Sequence, residues 1–161
     1  YVPAVIAGGV ALLVALLSPA FSAAAERRLR KREVLAKAVG ALAAYREYPY
    51  VIRRRDESDP AGERRRITTE VMGIQRELTE ALIWIGAEAP NLYDEYTLAV
   101  DDHRRIAGSL MNEAWNTPPA SDDAGMNIAD LHGKLEPLRM HDATLAELIR
   151  DEVRFSWNPF L

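Results

Sequence analysis

The chain has 161 residues, 48% of them hydrophobic and 27% charged, with a formal net charge of −4 and no cysteine. That length supports one domain with a real core and argues against two independent ones. The lack of cysteine excludes a disulfide framework, a thiolate nucleophile and a cysteine-based metal site.

From Val2 to Ala25 no side chain is charged. A helix of that stretch, rising ~1.5 Å per residue, reaches about 36 Å, enough for the roughly 30 Å hydrocarbon core of a bilayer. Ala23, Ala24 and Ala25 would also suit a signal-peptide cleavage site, and a buried soluble helix is the third reading. Five basic residues between Arg27 and Arg32 (Arg27, Arg28, Arg30, Lys31 and Arg32) decide among them, because such a cluster opposes translocation of whatever follows it. The expectation is a retained transmembrane helix over residues 1–25, with its N-terminus outside the cell inner membrane and the rest of the chain cytosolic. Gly8 and Gly9 are candidates for close packing of a partner helix within the span, and Pro19 can kink it.

A basic juxtamembrane helix is predicted over residues 26–49, with Leu35, Val39, Leu42 and Tyr45 on one face and Pro49 ending or bending it. The remainder of a cytosolic bundle follows over residues 50–161. Arg53, Arg54, Arg55, Arg64, Arg65 and Arg66 flank a turn-rich loop in which Asp59 precedes Pro60, the pattern of a helix N-cap followed by proline at the first helical position. The next helix is the most regular: Ile67, Val71, Ile74, Leu78, Leu82 and Ile85 alternate four and three apart. After Ala89-Pro90-Asn91, a third stripe holds Leu92, Tyr96, Ala99, His103, Ile106 and Leu110. Asn127 is read as the cap of a fourth segment containing Leu131, Leu135 and Leu138, interrupted at Pro137 and resuming with Leu145, Leu148, Ile149 and Val153. No useful run alternates with period two. The fold class is therefore all-α: one transmembrane helix continuing into an antiparallel bundle of about four helices.

Charge is segregated along this layout. Residues 26–66 carry 13 Lys/Arg against 7 Asp/Glu, while residues 67–161 carry 7 against 17. The acidic half repels nucleic acid, so none is expected as a partner despite the arginine triplets. The up-and-down path places those triplets far from the membrane, as a charged docking loop for a partner or a second copy. It returns Trp84, Tyr93, Trp157 and Phe160 toward the interface, where aromatic side chains and the basic cluster beside the span are favoured.

Catalytic signals are absent. There is no Gly-x-Ser-x-Gly elbow, phosphate loop, dinucleotide turn or His-Glu-x-x-His motif. His103 falls on the apolar stripe beside Asp101-Asp102, but no histidine has glutamate three positions before it, as a di-iron bundle requires. His132 and His141 are read as surface or core residues. The pairs Asp94-Glu95, Asp101-Asp102, Asp122-Asp123 and Asp151-Glu152 point about 100° apart on a helix and read as solvated faces. No catalytic residue, metal or cofactor is expected. The sequence reads as a bacterial single-pass membrane protein whose bundle is an interaction or assembly module, with the bilayer and other protein subunits, including a second copy, as partners. A membrane-linked stress or phage-defence sensor or effector is the alternative, and a helical metal or cofactor enzyme using His103 is a second one.

Overall fold

Apolar side chains recurring three and four apart leave each helix with one face to cover, and these faces meet in a main core and a smaller cluster of Leu110, Leu135 and Leu138. The computed structural model describes the backbone of residues 2–120, 122, 125 and 131–155, and the side chains of residues 22–120, 122, 125 and 133–154. The described elements are α1 (Val2–Arg53), α2 (Pro60–Glu88), a 3-10 turn at Pro90–Leu92, α3 (Tyr93–Trp115) and α4 (Leu131–Phe155), with no strand among the described residues.

Helix α1 is 52 residues long and unbroken. The expected stop at Pro49 does not occur. Pro49 lacks the N–H that would bond the Tyr45 carbonyl, but its ring is almost fully buried in the core and the helix runs on to Arg53. The predicted break at Pro137 is likewise absent, and α4 passes through it. Asp59 does cap α2: its Oδ1 accepts a 2.9 Å hydrogen bond from the Gly62 amide, with Pro60 at the first helical position. A Cβ on Gly62 would sit 2.1 Å from the other carboxylate oxygen, so a side chain there would require the Asp59 carboxylate to turn. Arg64, Arg65 and Arg66 therefore lie in the first turns of α2 and not in the loop. Asn127 lies outside the described residues.

The chain runs up, down, up and down. The end of α1 meets the end of α3, where the Ala120 amide bonds the Arg53 carbonyl at 2.8 Å. The end of α4 returns to the middle of α1, where Lys31 bonds Glu152 at 2.7 Å. Helices α1 and α3 form the central pair, with α2 chiefly on α1 and α4 chiefly on α3. Ala38 and Ala41 of α1 and Ala99 and Ala107 of α3 are buried in one cluster with Leu35, Leu42, Tyr45 and Val100. Tyr96 spans the contact, its hydroxyl donating to the Ala38 carbonyl at 3.1 Å, and burial raises its pKa above the ordinary value. Val39, expected on the core face, is 43% exposed instead. It stands between Ala38 and Ala41, and those smaller residues take the buried positions.

Among the described residues no helix is long and apolar enough to cross a membrane. The segment read as a span falls largely on residues 2–21, which are helical in backbone and whose side chains lie outside the described set, as do Gly8, Gly9, Trp157 and Phe160.

Proline in a helix interior costs about 3 kcal/mol relative to alanine, and Pro137 is exposed, so no core packing offsets it. Pro137→Ala restores an amide that can bond the Gly133 carbonyl and is expected to raise the unfolding free energy by roughly 1–3 kcal/mol. Urea denaturation of the two chains checks this.

Candidate interaction surfaces

Three surfaces gather polar chemistry, and the first is the end of the bundle where α1, α2 and α3 converge. The last carbonyls of a helix have no partner within it. Arg55 satisfies several at once, donating to the carbonyls of Ile52 at 2.9 Å, Ala114 at 3.1 Å and Thr117 at 2.8 Å. Its guanidinium lies 5.2 Å from the Trp115 ring centre, and Arg64 approaches the same ring at 5.7 Å. Burial first, then the charges of Arg53 and Arg64, lower the Arg55 pKa from its ordinary value. Arg53 donates to the carbonyls of Pro118 and Gly125. Arg66 is bracketed by Glu63 and Glu70, and its hydrogen bonds hold Glu63 down to about 2. Arg54 lies 5.7 Å over the Tyr50 ring, and Arg65 is exposed on α2. The six arginines thus divide into fasteners of the fold, chiefly Arg53 and Arg55, and outward charges.

The second surface is a groove of about 690 Å³ between α1 and α2. Gly40, Ala41 and Ala81 help line it, Glu33, Lys37 and Glu80 supply charge, and Trp84, 52% exposed, lies across from Arg30. Tyr93 packs beside Gly86 at the same end. The structure therefore brings Trp84 close to the basic stretch 27–32, of which Leu29 is 66% exposed.

The third surface is the seam that holds α4. Its leucines Leu135, Leu138 and Leu145 are buried, and its polar links to the other helices are ionic. Lys134 bonds Glu113 at 3.0 Å, Arg46 pairs with Asp142, and Lys31 pairs with Glu152. His141 lies between two carboxylates of α3, with Nδ1 3.1 Å from Glu95 and Nε2 2.7 Å from Asp102. Burial opposes its charge, but hydrogen bonds to Glu95 and Asp102 outweigh that and raise its pKa. Asp102 also accepts from Arg105 at 2.6 Å, and first Arg105, then His141, lower its pKa.

The carboxylate pairs are therefore not simply solvated faces. In Asp94-Glu95, Asp101-Asp102 and Asp151-Glu152 the second member turns to a neighbouring helix. Glu95 and Asp102 are seven residues apart and share a helical face. That spacing, opposite a histidine on the next amphipathic helix, is the sequence signal for the seam.

His103 lies deeper in α3 and is fully buried. Its Nδ1 donates to the Ala99 carbonyl at 2.8 Å, leaving Nε2 as the acceptor, and among the described residues this Nε2 has no hydrogen-bond partner. Burial lowers its pKa, keeping the ring neutral. No group of three or more His, Asp or Glu among the described residues is arranged to hold a metal ion. The side chain of His132 lies outside the described residues.

The two histidines impose opposite slopes on stability. His103, with a lowered folded pKa, destabilises the fold as pH falls below its ordinary 6.5. His141, with a raised folded pKa, contributes stability that is complete below 6.5 and is lost as pH rises through the folded value. Melting temperature measured from about pH 5 to about pH 9 is expected to peak in between, and His141→Gln to flatten the alkaline decline. Arg55→Ala is expected to cost roughly 1.5–3 kcal/mol in urea denaturation, since hydrogen bonds from a charged donor are lost, whereas Arg65→Ala stays within about 0.5 kcal/mol.

Set against family models, curated proteins and solved structures, the chain matches none.

Proposed function

We propose that this protein is a membrane-anchored assembly module: an N-terminal helix spans the bilayer with its N-terminus outside, and a cytosolic four-helix bundle docks other subunits. The observation that carries the reading is α1. One unbroken helix joins the uncharged stretch Val2–Ala25 to the wall of the bundle, so the bundle would stand on its anchor without a flexible joint. The basic cluster at 27–32 supports the orientation, and the nearby Trp84 suits an interfacial position at the base. Arg54, Arg64 and Arg65, at the far end, are the arginines whose contacts leave charge outward, and they suit docking of an acidic partner surface. Another copy of this chain, acidic over residues 67–161, is one such surface. No step of catalysis is assigned to any residue.

The reading is tested with the full chain carrying a C-terminal tag. Fractionated cells should hold it uncleaved in the membrane, and mild detergent should extract it as a complex larger than one copy. Arg64→Glu with Arg65→Glu should reduce recovery of that complex at least several-fold with little change in melting temperature, because exposed charges contribute only ~0–1 kcal/mol each to stability. A shortened chain outside the membrane, or a lone copy in detergent, contradicts it.

A further inference from the structure

His141 of α4 stands between two carboxylates of α3, with Nδ1 3.1 Å from Glu95 and Nε2 2.7 Å from Asp102. An ionised carboxylate only accepts hydrogen bonds, and a neutral imidazole has one donor and one acceptor nitrogen. Both contacts therefore hold together only while the ring carries its second proton. Once that proton leaves, one nitrogen turns a lone pair toward a carboxylate, whichever tautomer forms. That contact becomes repulsive, and the attraction of a cation for both carboxylates is lost with it.

The helix that His141 fastens has modest holds elsewhere. Helix α4 packs chiefly on α3 and little on α1. Its buried Leu135 and Leu138 form a small cluster with Leu110, apart from the main core, to which Leu145 is its buried contribution. Its ion pairs to the other helices, Lys134–Glu113, Arg46–Asp142 and Lys31–Glu152, are partly exposed, and such pairs contribute little each. The charged groups about His141 are Glu95, Asp102 and Arg105 of α3, Arg46 of α1, and Asp142 of α4 itself, which Arg46 holds. Residues of these types ordinarily keep their charge between about pH 6 and about pH 9. His103 of α3 lies near enough to feel His141, and burial keeps it neutral.

We propose that the second proton of His141 is a latch: while it is bound α4 stays docked on α3, and when it leaves α4 opens as a unit from a frame of α1, α2 and α3 that stays packed. Docking binds the proton more tightly than the open chain does, because Glu95 and Asp102 hold its charge against the cost of burial. The latch is therefore complete below the ordinary 6.5 and is lost as pH rises through the docked value. Opening uncovers the α3 face around Leu110, which Leu135 and Leu138 otherwise cover.

The test is amide hydrogen exchange of the full chain in a neutral detergent between about pH 6 and about pH 9, each rate divided by the intrinsic rate at that pH, beside an NMR titration of the His141 ring. Protection of α4 between Leu138 and Leu148 is expected to fall at least about threefold with the midpoint of the ring, while α1, α2 and α3 hold theirs. His141→Gln should remove the pH dependence, and His132→Gln should leave it as it was. Glu95→Gln separates a latch from a merely structural contact. Its amide can donate to a neutral ring that itself donates to Asp102, so both nitrogens stay satisfied. In that chain the ring should lose its proton at lower pH, yet α4 should stay protected to the alkaline end of the range. Unchanged protection of α4 in the original chain, equal loss in every helix, or a Glu95→Gln profile identical with the original overturns the proposal.

Discussion

The fold depends on the pairing of α1 with α3, which the Tyr96 hydroxyl fastens to the Ala38 carbonyl. Ala38 on one helix and Ala99 and Ala107 on the other are buried in the same core, and the Tyr96 hydroxyl of α3 reaches the main-chain carbonyl of Ala38 on α1. Larger residues there would push the central pair apart and overpack the core. With the pair closed, α2 and α4 have only the outer sides left to cover. The sides are covered differently: α2 brings a regular stripe with Ile67, Leu78 and Ile85 fully buried, and α4 adds to its leucines a row of ionic links.

That difference gives the two sides of the molecule different sensitivities. Apolar burial is nearly indifferent to pH and changes little with modest salt. The α4 seam responds to both, because Lys31, Arg46, Lys134 and His141 are partly exposed and each faces a carboxylate. The helix opposite α2 is thus the element whose docking can be adjusted by solution conditions, while α1, α2 and α3 stay as a frame. At the frame's far end Arg53 and Arg55 tie the ends of α1 and α3 together through main-chain carbonyls, so part of the most basic sequence in the chain works as mortar.

Much of this was legible in the sequence where one physical rule acted alone. The α2 stripe and the Asp59-Pro60 cap needed only helical periodicity and the chemistry of an unsatisfied amide, and both are as expected. The misreadings fall where local and tertiary forces oppose each other. Pro49 is a poor helix residue by propensity, but core burial of its ring holds the helix through it. Val39 fits a large-residue stripe, but Ala38 and Ala41 take the buried positions beside it. The Glu95–His141–Asp102 contact joins residues 39 and 46 positions apart in sequence, beyond anything periodicity on one helix can register, and so the acidic pairs looked merely solvated. Arg55 was legible as charge but not as a cap, because its carbonyl partners on α3 lie about 60 positions away.

The proposed function requires α1 to carry the bundle from an anchor in the bilayer into the cytosol. The absence of cysteine makes a direct measurement simple. A single cysteine at the exposed position Thr79, introduced in the full chain, can be reacted with a membrane-impermeant maleimide in intact cells and again after permeabilisation. The account predicts labelling only after permeabilisation, with the chain in the membrane fraction under both conditions. Labelling in intact cells would place the bundle outside and contradict it.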